Sequence, residues 1–275
     1  MKYTTAPAHL GALTQRLSNL EGSSTLALRR RTAMALVVVG QMLPAGAIKG
    51  GSAMALRYGT ATRFTRDLDA ARNQSLEAFR EAFEETLAAG WAGFTGRLVA
   101  RDAPKPPRVP SAYVMQPFDV RLAYLSKSWC TVKFELGHNE LGDADEPEYL
   151  LASELSALFV ELGLPEPEPV AVMRADHQIA QKLHAVSSPQ NERAHDLVDL
   201  QLLDAGEDLD LVQVLATCEA LFHYRKQQTW PPLITPTETW SSLYEAAAED
   251  LAVLPDVVAA SKWANELVAR IATAQ

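Results

Sequence analysis

Cysteine is nearly absent: the 275-residue chain has two, Cys130 and Cys218, far apart and inside apolar segments. That excludes a disulfide framework or a cysteine-built metal site, and it suits small core residues in a reducing compartment. Long hydrophobic runs are also lacking. The longest, Ala33 to Val39, falls far short of a membrane span, and the opening MKYTTAPAHL has no apolar signal core, so a cytoplasmic chain with no membrane association is expected. Positive charge is in deficit, with 25 Lys and Arg against 34 Asp and Glu and a net charge of −9. A nucleic-acid partner would therefore have to be held by a local basic patch. The candidates are Arg29-Arg30-Arg31 and the run Arg97, Arg101, Lys105, Arg108, each of which, taken alone, reads better as a solvated helix face or a polar loop. There is no internal repeat and no low-complexity segment. What remains is an ordinary globular composition, 48% hydrophobic and 21% charged, in a chain that suits one large domain or two small ones.

Against this background one stretch stands out, IKGGSAMALRYGTATRFTRDLD from Ile48 to Asp69. It reads as an apolar strand end, a Lys-Gly-Gly-Ser turn, a short helix from Ala53 to Tyr58, and a second strand ending in Arg-Asp-Leu-Asp. Glycines let backbone approach a phosphate closely, and the N–H groups opening the next helix point at it. In a strand, residues i and i+2 share a face, so Asp67 and Asp69 come together while Leu68 turns away. Two carboxylates beside a phosphate cradle suit a magnesium-assisted phosphoryl or nucleotidyl transfer. Each part alone has a plainer reading, a simple turn and a solvated strand end or helix cap. The fifteen-residue step from Ser52 to Asp67 leaves room for one helix and one returning strand, so the two features can meet.

Elsewhere an amphipathic helix is predicted over 9–20, a Ser-capped helix that turns strongly apolar after the Arg triplet over 24–42, and a helix over 76–87 ended by Gly90. Residues 93–101 read as a strand, the Pro-rich 103–110 as a loop. A hairpin follows, with strands 119–125 and 130–136 around a turn at 126–129. On its returning strand Val132, Phe134 and Leu136 face one way, and Thr131, Lys133 and Glu135 the other. The acidic run 140–148 reads as a solvated domain boundary leading into a helix N-terminus. Beyond it the chain is expected to be mainly helical, over 149–163, 176–187, 192–204, 209–227, 239–251 and 255–273.

A second constellation lies in HQIAQKLHAVSSPQNERAHDLVDLQLL, residues 177–203. Ile179, Leu183 and Val186 form a buried stripe with Lys182 at its edge, where a lysine commonly snorkels. The next helix carries Asp196 and Asp199 yet is apolar almost all round, so at least one carboxylate should be buried or line a cleft. An ion pair with Lys182 or Arg193 explains that as well as a functional site does.

The order Gly-Ser, helix, strand, DxD resembles the polymerase-β-type nucleotidyltransferase fold. The fuller strings KGGSAMALRYG and TRFTRDLD, with QKLHA and RAHDLVDL further on, resemble the AbiEii/AbiGii toxin family, which includes the MenT toxins of mycobacterial toxin–antitoxin pairs. The match is good over residues 45–70 and 177–203 and follows element order elsewhere, although the linker between Lys182 and Asp196 does not align.

The resemblance implies an α+β chain, with a nucleotidyltransferase domain over 1–145 (a mixed sheet with flanking helices) and a helical domain over 146–275. It implies Mg²⁺ held by Asp67 and Asp69, with Glu135 a candidate third carboxylate that an exposed strand face explains equally well. Lys49, Gly50, Gly51 and Ser52 would cradle an NTP, CTP favoured, with Arg57, Arg63 and Lys182 neutralising its charge. Asp196 would complete the site, as general base or by orienting Lys182. The acceptor would be the 3′ end of tRNA, and the partner an antitoxin encoded nearby. Some relatives are silenced by phosphorylation two residues before the first Asp, here Thr65, which on sequence alone reads better as an ordinary β-former. Two other readings are compatible with these residues. One is transfer to a small-molecule hydroxyl, as in aminoglycoside nucleotidyltransferases. The other is a non-catalytic binding module of the same fold.

Overall fold

A computed structural model of the chain describes residues 3–20, 24–104 and 114–275. Residues 21–23, between the first two expected helices, and most of the Pro-rich loop, with Lys105 and Arg108, lie outside the described residues. The chain divides into two compact units, Met1–Thr60 with Phe64–Met173, and Ala61–Arg63 with Arg174–Gln275.

The first unit is α+β. In chain order it contains α1 (Leu10–Ser18), α2 (Ser24–Gln41), β1 (Gly46–Lys49), α3 (Gly50–Tyr58), β2 (Asp67–Arg72), α4 (Leu76–Ala89), β3 (Phe94–Ala100), β4 (Gln116–Tyr124), β5 (Lys127–His138), β6 (Glu148–Leu150), α5 (Ser153–Glu161) and β7 (Val170–Val172). The strands form one seven-stranded mixed sheet in the order β3-β4-β5-β2-β1-β7-β6. β2 runs antiparallel to β1 and parallel to β5, and β7 runs parallel to β1. Strand alternation gives the sheet one apolar face. Leu68, Ala70, Val120, Leu122, Val132, Phe134 and Leu136 are buried with the apolar sides of α2 and α4. Phe83 of α4 meets Phe134 with ring centroids 5.3 Å apart, and Phe79 meets Phe83 at 5.7 Å, which anchors α4 by burial and edge-type ring contacts.

Several expectations are corrected. The second strand opens on Asp67 instead of ending at Asp69, because Ala70 and Ala71 are fully buried and pair with Ile48 and Ala47. Helix α3 starts at Gly50 and not at Ala53, so the glycines form its first turn. The β4–β5 hairpin turns on Leu125 and Ser126, both at positive φ, a two-residue turn that the absence of glycine concealed. Residues 148–150 form strand β6, and α5 starts only at Ser153. The acidic run before it is folded, not a solvated boundary: Asp143 is buried and its carboxylate accepts from the Glu140 N–H at 2.9 Å. Ala144 packs on Ala47, Ala71 and Met173. With β7 in the sheet, the first unit extends to Met173, beyond the expected division at 145.

The second unit is helical: α6 (Ala175–Val186), α7 (His195–Gly206), α8 (Leu211–Arg225), α9 (Trp240–Ala248) and α10 (Val257–Ala272). Ile179, Leu183, Leu197, Leu200, Cys218, Phe222, Trp240 and Ile271 build its core. Inside it the Gln201 amide donates to the Tyr244 hydroxyl at 3.1 Å, and that hydroxyl donates to the Leu254 carbonyl at 2.7 Å. Among the described residues no helix is long and apolar enough to cross a membrane.

Candidate functional site

The first unit brings the glycine turn and the acid pair together. β1 delivers the chain to Gly50, which takes φ +64, a backbone state that glycine adopts without a Cβ penalty. A Cβ there would lie 2.5 Å from Asp69 Oδ2. Gly50 is therefore required twice, by its backbone and by the carboxylate beside it. The opening turn of α3 has no side-chain cap, so its backbone N–H groups carry the partial positive charge of a helix start next to Asp69.

Along β2 the pattern is exposed Asp67, buried Leu68, half-buried Asp69. The two carboxylates thus share the sheet's outer face, and Leu68 holds the strand to the core. Ser52 adds a clasp: fully buried, its hydroxyl donates to the Asp67 backbone carbonyl at 2.5 Å. Thr65 lies just before β2, outside the strand expected for it, and its hydroxyl points at the same carbonyl at 3.5 Å.

Two neighbouring strands contribute to this face. Lys49 pairs with Asp69 across the β1–β2 ladder, and Glu135 of β5 is in register with Asp69 on the other side. Lys49, Asp69 and Glu135 therefore form one row, at strand spacings of about 4.8 Å. Lys49 Nζ reaches over the sheet to 3.0 Å from the point where a Cβ would stand on Gly137. Among the described residues no three His, Cys, Asp or Glu side chains are gathered closely enough to hold a metal ion, so Glu135 does not close a three-carboxylate cage with the acid pair. A two-carboxylate donor set still fits Mg²⁺, which keeps waters and is bound by one or two carboxylates together with substrate phosphates.

The remaining arginine of this unit named from the sequence is differently engaged. Arg57 has a buried side chain that is ion-paired with Glu148 of β6, and it donates to the Met173 carbonyl at 3.3 Å. It joins α3 to the β6–β7 edge of the sheet.

Within the second unit, Arg63, Lys182, Arg193, Asp196 and Asp199 form one ionic network. Asp196 and Asp199 are both 0% exposed and Lys182 is 5% exposed. The Lys182 ammonium donates to Asp196 at 2.9 Å and to Asp199 at 2.5 Å. Arg63 engages both Asp199 oxygens at 3.0 and 3.1 Å, and Arg193 donates to Asp196 at 2.7 Å. The ion pairs weighed from the sequence, to Lys182 and to Arg193, are thus both present. Arg63 as the partner of Asp199 had no sequence signal, since the two are 136 positions apart. Burial pushes the Asp196 carboxyl up, but the Lys182 and Arg193 charges outweigh it and hold the group well below the usual carboxylate range. His195, 3.8 Å from Asp196, is lowered to about 4, chiefly by desolvation, with Arg63 and Arg193 adding to that and Asp196 opposing it.

Comparison with known proteins agrees with this architecture. Residues 40–270 match the profile of the nucleotidyl transferase AbiEii toxin family, of a type IV toxin–antitoxin system. No curated protein sequence gives a significant match. Among solved structures, MenT4, a nucleotidyltransferase toxin from Mycobacterium tuberculosis H37Rv, superposes with a TM-score of 0.51 at 14% identity. The alignment covers 95% of this chain and 97% of that one, and it is a likeness of fold.

Proposed function

Because this chain belongs to the AbiEii nucleotidyltransferase toxin family, we propose that the cradle between Gly50 and Asp69 transfers a nucleoside monophosphate from an NTP, CTP first, to the 3′ end of tRNA. The modified tRNA can no longer be aminoacylated, and translation stops. The chain would act in the cytoplasm, as the toxin of a pair whose antitoxin partner is implied by the family.

The observation that carries the reading is the approach of Gly50 to Asp69 on the face that also bears Asp67. In the proposed reaction the acceptor hydroxyl forms an ester bond to the α-phosphorus while the bond to the β-phosphate oxygen breaks, and pyrophosphate leaves. Gly50 and Gly51 supply backbone N–H groups to the phosphates without side-chain obstruction. Lys49, in the Asp69 row, balances phosphate charge. Ser52 sets the position of Asp67 through its carbonyl. Asp67 and Asp69 would hold Mg²⁺, which when bound neutralises charge developing on the transferred group. A phosphate added to Thr65 would place negative charge next to Asp67 and oppose NTP binding.

Lys182 is held by both Asp196 and Asp199, so its ammonium would have to release a carboxylate before it could bind a phosphate. For Asp196, a carboxylate held so far below its usual range is a poor general base, which supports the alternative of orienting Lys182. The test is transfer of label from α-labelled CTP to tRNA with Mg²⁺, lost in Asp67→Ala and Asp69→Ala. Label transferred to an aminoglycoside but to no RNA would favour the small-molecule reading. Nucleotide binding without turnover would favour a non-catalytic module.

A further inference from the structure

The outer face of the sheet continues past the acid pair onto β5, β4 and β3, and the residues there lie in register. Arg97 of β3 stands directly opposite Arg121 of β4, which stands opposite Thr131 of β5. In the next row Asp119 stands opposite Lys133, and Lys133 is in register with Asp67. Arg97, Arg121, Thr131 and Lys133 are all exposed.

Like charges directly opposite each other across two strands are destabilising. A chain with 34 acidic residues and a net charge of −9 nevertheless sets two arginines face to face here. Among the described residues no carboxylate lies within ion-pair distance of Arg97, Arg121 or Lys133; of the two acids in register with Lys133, Asp119 lies 3.8 Å from Arg101 and Asp67 belongs to the acid pair. From β3 to β2 the lane crosses three strand spacings, about 14 Å, and it ends at the carboxylates.

We propose that Arg97, Arg121 and Lys133 form a phosphate track that holds the acceptor RNA strand, with its 3′ end directed at Asp67 and Asp69. The inference rests on the nucleotidyl-transfer reading, which requires a 3′ hydroxyl to arrive at that end of the lane. Guanidinium groups match phosphate oxygens bidentately and remain charged at every working pH. The Arg97–Arg121 repulsion is relieved when a phosphate sits between them. An acidic polypeptide is the other polyanion such a lane could attract, but it would bring further carboxylates against Asp67 and Asp69.

The test is direct binding by the full chain of a fluorescein-labelled RNA hairpin with a single-stranded 3′ tail, read by anisotropy across a salt series. For Arg97→Ala/Arg121→Ala the expected result is a Kd raised roughly tenfold, with the slope of log Kd against log salt reduced by about 1.4, the value for two lost single-strand phosphate contacts. The thermal midpoint should not fall, since a like-charge pair has been removed. Lys262→Ala, which removes an exposed cation of α10 ion-paired with Glu266, should leave binding unchanged. Equal binding by wild type and double variant, no binding by wild type, or stronger displacement of the hairpin by poly-L-glutamate than by unlabelled RNA overturns the track. Binding is read without turnover, so a wild type that binds the hairpin but never labels it contradicts the transfer reading and leaves the track standing.

Discussion

At the scale of single residues, Gly50 carries the most constraint. Its φ of +64 and the 2.5 Å approach of Asp69 to its missing Cβ act together. For Gly50→Ala the left-handed backbone state costs about 1–2 kcal/mol, and the displaced carboxylate should reduce transfer far more than that loss of stability explains. Thermal unfolding and kcat measured on one preparation separate the two effects; wild-type kcat in a folded Gly50→Ala variant would contradict the role given to Asp69. Lys182 makes a different demand. With its ammonium buried between Asp196 and Asp199, Lys182→Met leaves two carboxylates with less compensation and should destabilise by roughly 3–5 kcal/mol, read as a lowered denaturant midpoint. At this scale Asp67, Asp69 and the glycines were legible in the sequence, because strand alternation and glycine's φ range are local rules. The engagement of Arg57 with Glu148, and of Arg63 with Asp199, was not. A side chain's partner is chosen by tertiary proximity, and an arginine near a phosphate motif has the same local signature whether it binds substrate or ties elements together.

At the scale of elements, helix α3 and strand β2 work as a pair joined by Ser52, whose hydroxyl holds the Asp67 carbonyl. Ser52→Ala should cost about 1 kcal/mol of stability and lower kcat while KM for the NTP stays nearly constant, because the change moves Asp67 and leaves the glycine backbone in place. Helices α6 and α7 are joined by the ionic network, and that junction has a pH signature. His195 is lowered to about 4 in the fold from an ordinary 6.5, so between those values the unfolded chain binds more protons than the native one. Stability is therefore full above pH 6.5 and falls as pH drops toward 4. Asp196, held below its ordinary value, extends the loss to lower pH. His195→Gln should flatten the 4–6.5 segment of a stability–pH curve from urea titrations, and an unchanged slope would rule His195 out as its source. The long helices were legible from their 3.6-residue stripes, and α7 spans 195–206 against 192–204 expected. β6 and β7 were not, since three residues carry too little alternation to register. They are strands because the sheet edge needs partners for its backbone groups.

At the scale of the whole molecule, net charge and function pull in opposite directions. A chain at −9 repels polyanions at long range, so any RNA must be held by a local array, and association should weaken steeply with added salt. The fold class, a mixed sheet followed by a helical unit, could be read from element order. The division at Met173 could not, because it depends on a short strand returning to the sheet across a stretch whose acidity suggested solvent. The most direct measurement is label transfer from α-labelled CTP to tRNA with Mg²⁺ by wild type beside Asp67→Asn and Asp69→Asn, each variant shown to be folded. Robust labelling by wild type, and a loss of roughly 10²–10³-fold or more in each variant, is the predicted result. Labelling that survives in either variant at the wild-type rate would contradict the assignment of the chemistry to this pair of carboxylates.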